Sequence, residues 1–227
     1  MERKINLPIY IGAFLISLAI FAAGVLVGNL IDRSNLDGIS DELVSVSSRI
    51  ASTQLLLLME GNSSSFCPIF LSDLGAIDAE VERVGYKLSY LEDQKGVSDP
   101  ELKKQYFTLE ANSYLLSNKV GELCGSKSVL VINFYSNSNC SQCRQQGTEI
   151  LTARDGVPGV PLKLFSFDGD LGSPAADAFK TEFGVSGYPS VVINGRLYEG
   201  FQNSEKLKAA FREAWQKDGG VGGQASG

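Results

Sequence analysis

Ser128-Val-Leu-Val-Ile-Asn-Phe-Tyr135 runs on through Ser-Asn-Ser-Asn to Cys140-Ser-Gln-Cys143. The first eight residues form an unbroken apolar, β-branched and aromatic run, the pattern of a strand buried on both faces. The two cysteines follow where that strand should give way to a helix, expected over Asn139 to Ala153. A thiolate at a helix N-terminus faces unpaired N–H groups and the positive end of the helix dipole, which lower its pKa. A two-residue gap lets the second thiol attack a mixed disulfide formed at the first. Zinc sites use the same spacing, so position is what makes the pair a redox candidate.

Downstream, Asp155 to Pro161 reads as a Gly- and Pro-containing loop, Leu162 to Phe167 as a second strand and Pro174 to Phe183 as a short helix. Ser190 to Ile193 and Arg196 to Tyr198 flank Asn194-Gly195, a strong hairpin signal. A last helix spans Ser204 to Gln216, with Leu207, Ala210, Phe211 and Trp215 on one face. The order is βαβαββα. The tail from Asp218 to Gly227 is Gly-rich and reads as disordered.

Upstream of Ser128 the pattern is helical. Leu7 to Ile31 carries no charged side chain, more than the roughly 20 residues needed to cross a bilayer. A cleaved signal has a shorter apolar run ending at small residues, whereas Val25, Leu26 and Val27 continue past Ala22 and Ala23. The expectation is a retained single-pass anchor. Arg3 and Lys4 precede it and Asp32, Arg33 and Asp37 follow it, which places the N-terminus in the cytoplasm and the remainder outside. Gly24 and Gly28 form a GxxxG through which two such helices can pack as a homodimer.

After a linker at Asp32 to Gly38, three amphipathic segments follow. The first has Ile39, Leu43, Val46, Ile50 and Leu57, with Ser40 as N-cap. The second has Cys67, Phe70, Leu74, Ile77, Val81, Val84, Leu88 and Leu91. The third starts at Asp99-Pro100 and continues through Leu102, Tyr106, Leu109, Leu116, Val120 and Leu123. Each is a narrow coiled-coil-like stripe, and short loops favour antiparallel neighbours. Cys67 opens the second segment and Cys124 closes the third, equidistant from a loop centred near Lys95 and Gly96. An antiparallel hairpin puts them at one level, within reach of a disulfide. Two free thiols, or a relay to Cys140, are the alternatives.

The formal net charge is −6, and there is no histidine. An acidic chain is a poor partner for nucleic acid. Lack of histidine excludes Ser–His–Asp and Cys–His catalysis and any His-ligated metal. No metal site or cofactor is expected.

Ser128 to Gln216 resembles the thioredoxin-like superfamily. The resemblance rests on VLVINFY before CSQC, then Gly187-Tyr188-Pro189-Ser190 leading into VVING and RLYEG, and covers about two fifths of the chain. It implies that Cys140 and Cys143 are the redox pair, and that Pro189 is a cis-proline facing them. Tyr188 and Pro189 would then line the place where an extended substrate segment binds. The usual Trp before the first cysteine is replaced by Ser138-Asn139, and the usual Gly-Pro by Ser141-Gln142. Asn133 lies near where the family buries an acid, so no proton acceptor is assigned.

The expected architecture is α/β. An anchor occupies residues 1–31, a helical stalk 32–126, a thioredoxin-like domain 127–217 and a tail 218–227. The expected function is an extracytoplasmic thiol–disulfide oxidoreductase acting on protein thiols and disulfides, with a membrane redox partner. The alternative is an anchored adaptor whose cysteines only staple it.

Overall fold

The computed structural model describes residues 7–60 and 64–219. The flanking Arg3 and Lys4, residues 61–63 and the tail from residue 220 lie outside the described residues. The chain forms α1 (Leu7–Glu60), α2 (Cys67–Lys95), α3 (Pro100–Cys124), β1 (Val129–Tyr135), α4 (Cys143–Asp155), β2 (Leu162–Asp168), α5 (Pro174–Phe183), β3 (Ser190–Ile193), β4 (Arg196–Glu199) and α6 (Ser204–Gly219). A single 3₁₀ turn, Ser64–Phe66, leads into α2.

The first helix corrects the sequence reading. Asp32 to Gly38 is not a linker: the backbone stays helical through it, and α1 runs unbroken for 54 residues. Ser40 therefore caps nothing. A charged stretch leaving an apolar segment need not unwind, because its backbone groups are already paired inside the helix. The stretch Tyr10–Gly28 is exposed and is long and apolar enough to cross a membrane. Further along, Ile39, Leu43, Val46 and Ile50 turn inward and are buried against α2 and α3. Thr53 fills the gap in the stripe, its hydroxyl donating to the Arg49 carbonyl at 3.1 Å.

Helices α2 and α3 form the antiparallel hairpin. Phe70, Leu74, Ile77, Val81, Val84 and Leu91 meet Leu102, Leu109, Leu116 and Val120. The Asp99 carboxylate caps α3, accepting from the Glu101 and Leu102 N–H groups, both at 3.0 Å. Gly96, at φ 65°, ends α2 in the left-handed conformation that glycine adopts without steric cost. Gly85 has a different reason: a Cβ there would collide with the Tyr106 hydroxyl, and that ring would have to move aside.

Helix α3 has a second apolar face that the sequence stripe did not show. Phe107, Ala111 and Tyr114 pack against the sheet and α5 rather than against α1 and α2. Tyr114 meets Phe165 and Phe179 edge-on at 5.5 and 5.2 Å, and Phe107 meets Phe167 at 5.5 Å. The boundary read between residues 126 and 127 thus falls between segments that share one core.

The sheet order is β2-β1-β3-β4; β2 is parallel to β1, β3 is antiparallel to β1, and β4 is antiparallel to β3. Leu130, Ile132, Phe134, Phe165, Phe167 and Val192 face α3 and α5. Val129, Val131, Val191 and Ile193 face α4 and α6. A strand covered on both sides must be apolar at every position, which is why β1 reads as a continuous run. Asn194 (φ 44°) and Gly195 (φ 80°) make the β3–β4 turn, both residues at positive φ. The Asn194 side-chain carbonyl also accepts from the Leu130 N–H at 2.7 Å, tying the turn to the start of β1.

Candidate functional site

Cysteines 140 and 143 meet just past the C-terminal end of β1. They form a disulfide with Cα atoms 5.4 Å apart. The helix begins at Cys143, four residues later than the sequence suggested, so Cys140 sits in the turn before it. Cys140 is half-buried, and Cys143 is 6% exposed. The Ser136 N–H points at the Cys143 sulfur from 3.4 Å. An N–H held there favours a negative sulfur when the bond is cleaved.

The strand register brings Pro189 to the same end. Ser190 pairs with Phe134, which sets Pro189 one step on, opposite Tyr135. The Tyr188–Pro189 peptide bond is cis. Tyr188 is half-buried, its ring lying on Gly169 with Lys180 Nζ 5.7 Å from its centroid. Gly169 has no side chain to obstruct that approach.

A hydrogen-bond cluster invisible to sequence reading holds the loop before Cys140. The Ser136 hydroxyl donates to the Asp170 carboxylate and accepts from the Ser138 and Asn139 N–H groups, both at 3.2 Å. Asp170 also accepts from the Ser138 N–H at 3.3 Å. The bond from Ser136 holds the Asp170 carboxyl below the usual carboxylate range. Asn137 Nδ2 donates to Asp168 at 2.7 Å, and Asp168 accepts from Lys103 on α3 at 3.5 Å. The only local signal was the acidic pair in Asp168-Gly-Asp170, which reads equally well as a solvated loop. Replacing Ser136 with Ala should cost about 1–2 kcal/mol in a urea titration, since the Asn139 N–H loses its acceptor, the Ser138 N–H one of two, and Asp170 a donor. It should also change the alkylation rate of reduced Cys140, whose loop it frees. An unchanged midpoint and rate would show that the cluster is dispensable.

Helix α4 is fixed from behind. Gln146, fully buried, accepts from the Gln202 N–H at 2.7 Å and donates to its carbonyl at 3.0 Å. Glu149 accepts from the Ser204 N–H at 2.6 Å. Asn133 is buried beneath this region, and its side-chain oxygen has no hydrogen-bond partner.

Away from the cysteines, a cavity of about 610 Å³ lies between the helical hairpin and the β2 edge. Glu110, 3% exposed, lines it. It accepts from the Tyr106 hydroxyl at 2.9 Å and from the Ser166 N–H of the edge strand at 3.2 and 3.3 Å. Burial pushes its carboxyl up to about 8, with the two hydrogen bonds opposing the shift. The folded chain therefore binds a proton here that the unfolded chain has released between about pH 4.5 and 8. Stability should fall as pH rises across that window and level off above it. Glu110→Gln should flatten this slope and raise stability at pH 8 by a few kcal/mol, on the order of 2, in urea titrations. Parallel slopes for the two proteins would mean that Glu110 is ionised throughout.

The other cysteines lie at the far end of the hairpin. Cys67 and Cys124 are joined, with Cα atoms 5.4 Å apart. Lys103, level with the first pair, is 21 residues from Cys124 along α3, about 32 Å of helix. The two disulfides do not exchange within one subunit.

No family model and no curated protein matches the chain. Solved structures that resemble it include thioredoxin-2, a component of malaria parasite protein secretion machinery, at 21% identity and TM-score 0.32, over 38% of this chain and 82% of that one. Chloroplastic thioredoxin z matches at 15% identity and TM-score 0.33, over 43% and 87%. The first thioredoxin domain of mouse Protein disulfide-isomerase A4 matches at 24% identity and TM-score 0.31, over 48% and 79%. In each case less than half of this chain is covered. By its own strand order, its two helical layers and the cysteine pair beyond β1, the unit from Val129 to Gly219 has the thioredoxin-like fold.

Proposed function

We propose that this chain is a thiol–disulfide oxidoreductase held at a membrane by α1, acting through Cys140 and Cys143. The observation that carries the reading is the asymmetry of the pair. Cys140 is only half-buried in the turn ahead of α4, whereas Cys143 is shielded and faces the Ser136 N–H. Such a pair has one sulfur that a substrate can reach and one that acts only from inside. The backbone leading into Pro189, at the same end of the sheet, is where an extended substrate segment would pair.

In the oxidised state a substrate thiolate attacks the Cys140 sulfur. A mixed disulfide forms and Cys143 leaves as the thiolate. A second substrate thiol then attacks the substrate sulfur of that bond, releasing Cys140. Two electrons and two protons have passed to the chain, and the substrate holds a disulfide. The reverse sequence reduces a substrate, and the relative potentials set the direction.

Insulin reduction with dithiothreitol as electron source tests the reading. The full chain should accelerate precipitation of the insulin B chain. A rate equal to the uncatalysed background would leave the cysteines as staples, the adaptor reading.

A further inference from the structure

We infer that the Cys140–Cys143 pair faces back toward the membrane and exchanges with a thiol or disulfide displayed by an integral membrane protein close to the bilayer surface. The inference rests on the proposed redox role and on α1 as the anchor, and it adds where the partner must be.

The argument is one of level and direction. α1 leaves its apolar stretch at Gly28 and continues as helix. Ile39 is eleven residues further on, about 16 Å along the axis. At that level α1 meets the C-terminal part of α2: Ile39 and Leu91 line one groove, and Glu42 pairs with Arg83 and Lys87. One turn on, Glu92 pairs with Lys103 near the start of α3 at 2.9 Å. Lys103 in turn reaches Asp168, the last residue of β2, which lies in register with Tyr135 at the end of β1. Beyond it come Ser136 and the Cys143 sulfur.

Along the same sheet, Lys163 at the start of β2 meets Asp78 and Ser117, near the other end of the hairpin. Strands β1 and β2 therefore point down the hairpin toward the apolar end of α1. The redox pair sits at their lower tips. The Cys67–Cys124 bond sits at the top.

The surface there suits a close approach. From Ser136 to Gln142 no residue is charged, although the chain as a whole is at −6. Asn137, Ser138, Asn139, Ser141 and Gln142 are exposed. Asp170, exposed beside this loop, adds a carboxylate that the Ser136 hydroxyl and the Ser138 N–H hold in place. The height also selects the partner. The pair lies on the membrane side of the Ile39 level, hence within about 16 Å of the end of the apolar stretch, a gap that a protein loop spans with a few residues. The exchange is the balanced two-electron one given above, with the membrane protein's cysteines as substrate.

The test uses the full chain, reduced and reconstituted into phosphatidylcholine vesicles. A few of the lipids carry a pyridyl disulfide on a headgroup spacer about 15 Å long, near the height of the pair. The comparison is a variant with about eighteen helical residues inserted after Gly28, five turns that raise the pair by about 27 Å without changing its face. The native chain should release pyridinethione from the vesicle-bound probe at least about tenfold faster than the variant. Both should react equally with the same disulfide free in solution, which also shows that the variant is folded. Equal rates on the vesicle-bound probe would overturn the inference. Loss of the solution reaction in both would overturn it together with the redox reading. Failure of the native chain to float with the vesicles would overturn it together with the anchor.

Discussion

Cys143→Ser should leave Cys140 able to attack and unable to be released. Mixed disulfides between Cys140 and protein clients should then accumulate, visible as reducible high-mass species on non-reducing gels. Cys140→Ser should remove them and reduce insulin reduction at least about a hundredfold, because Cys143 is shielded and cannot replace the accessible sulfur. In the reduced wild type, an alkylating reagent at neutral pH should modify Cys140 before Cys143. Equal labelling, or adducts that persist without Cys140, would reverse the roles.

The second large effect concerns stability. The Cys67–Cys124 bond closes a loop with a sequence separation of 57. Cross-linking a loop of that length restricts the unfolded chain by about 4 kcal/mol on the chain-entropy model. The Cys67→Ala, Cys124→Ala double variant should lose about that much in a urea titration. Reducing Cys140–Cys143 closes no comparable loop, its separation being 3, and should move the midpoint far less. A loss below about 1 kcal/mol in the double variant would mean that helix packing alone holds the hairpin shut.

These predictions draw on features of very different legibility. The strands could be read because the sheet is covered on both faces, which forces β1 to be apolar at every position. The turn could be read because positive φ at two successive residues calls for a pair such as Asn194-Gly195. The mirror placement of Cys67 and Cys124 follows from the geometry of any antiparallel hairpin.

What stayed hidden is of another kind. Phe107, Ala111 and Tyr114 are interleaved with Tyr106, Leu109 and Leu116, so two apolar faces on α3 blur into one imperfect stripe. Asp32 to Gly38 has the composition of a linker, and its composition carries no sign that the helices on either side are continuous. The Ser136–Asp170 bond joins residues 34 apart in sequence, and neither is unusual in its own segment. Glu110 lies outside the apolar stripe read along α3. Its carboxylate is instead held by Tyr106 and by the edge of β2, a contact across 56 residues.

The double-sided α3 has a consequence for any attempt to dissect the molecule. A fragment beginning at Ser128 would contain all four strands of the sheet and the Cys140–Cys143 pair. One face of its sheet would nevertheless lose the rings of Phe107 and Tyr114, leaving Phe165, Phe167 and Phe179 partly bare to water. The thioredoxin-like unit is thus no portable cassette. In transplants between scaffolds, α3 has to travel with it, and α3 brings its own obligation to α1 and α2.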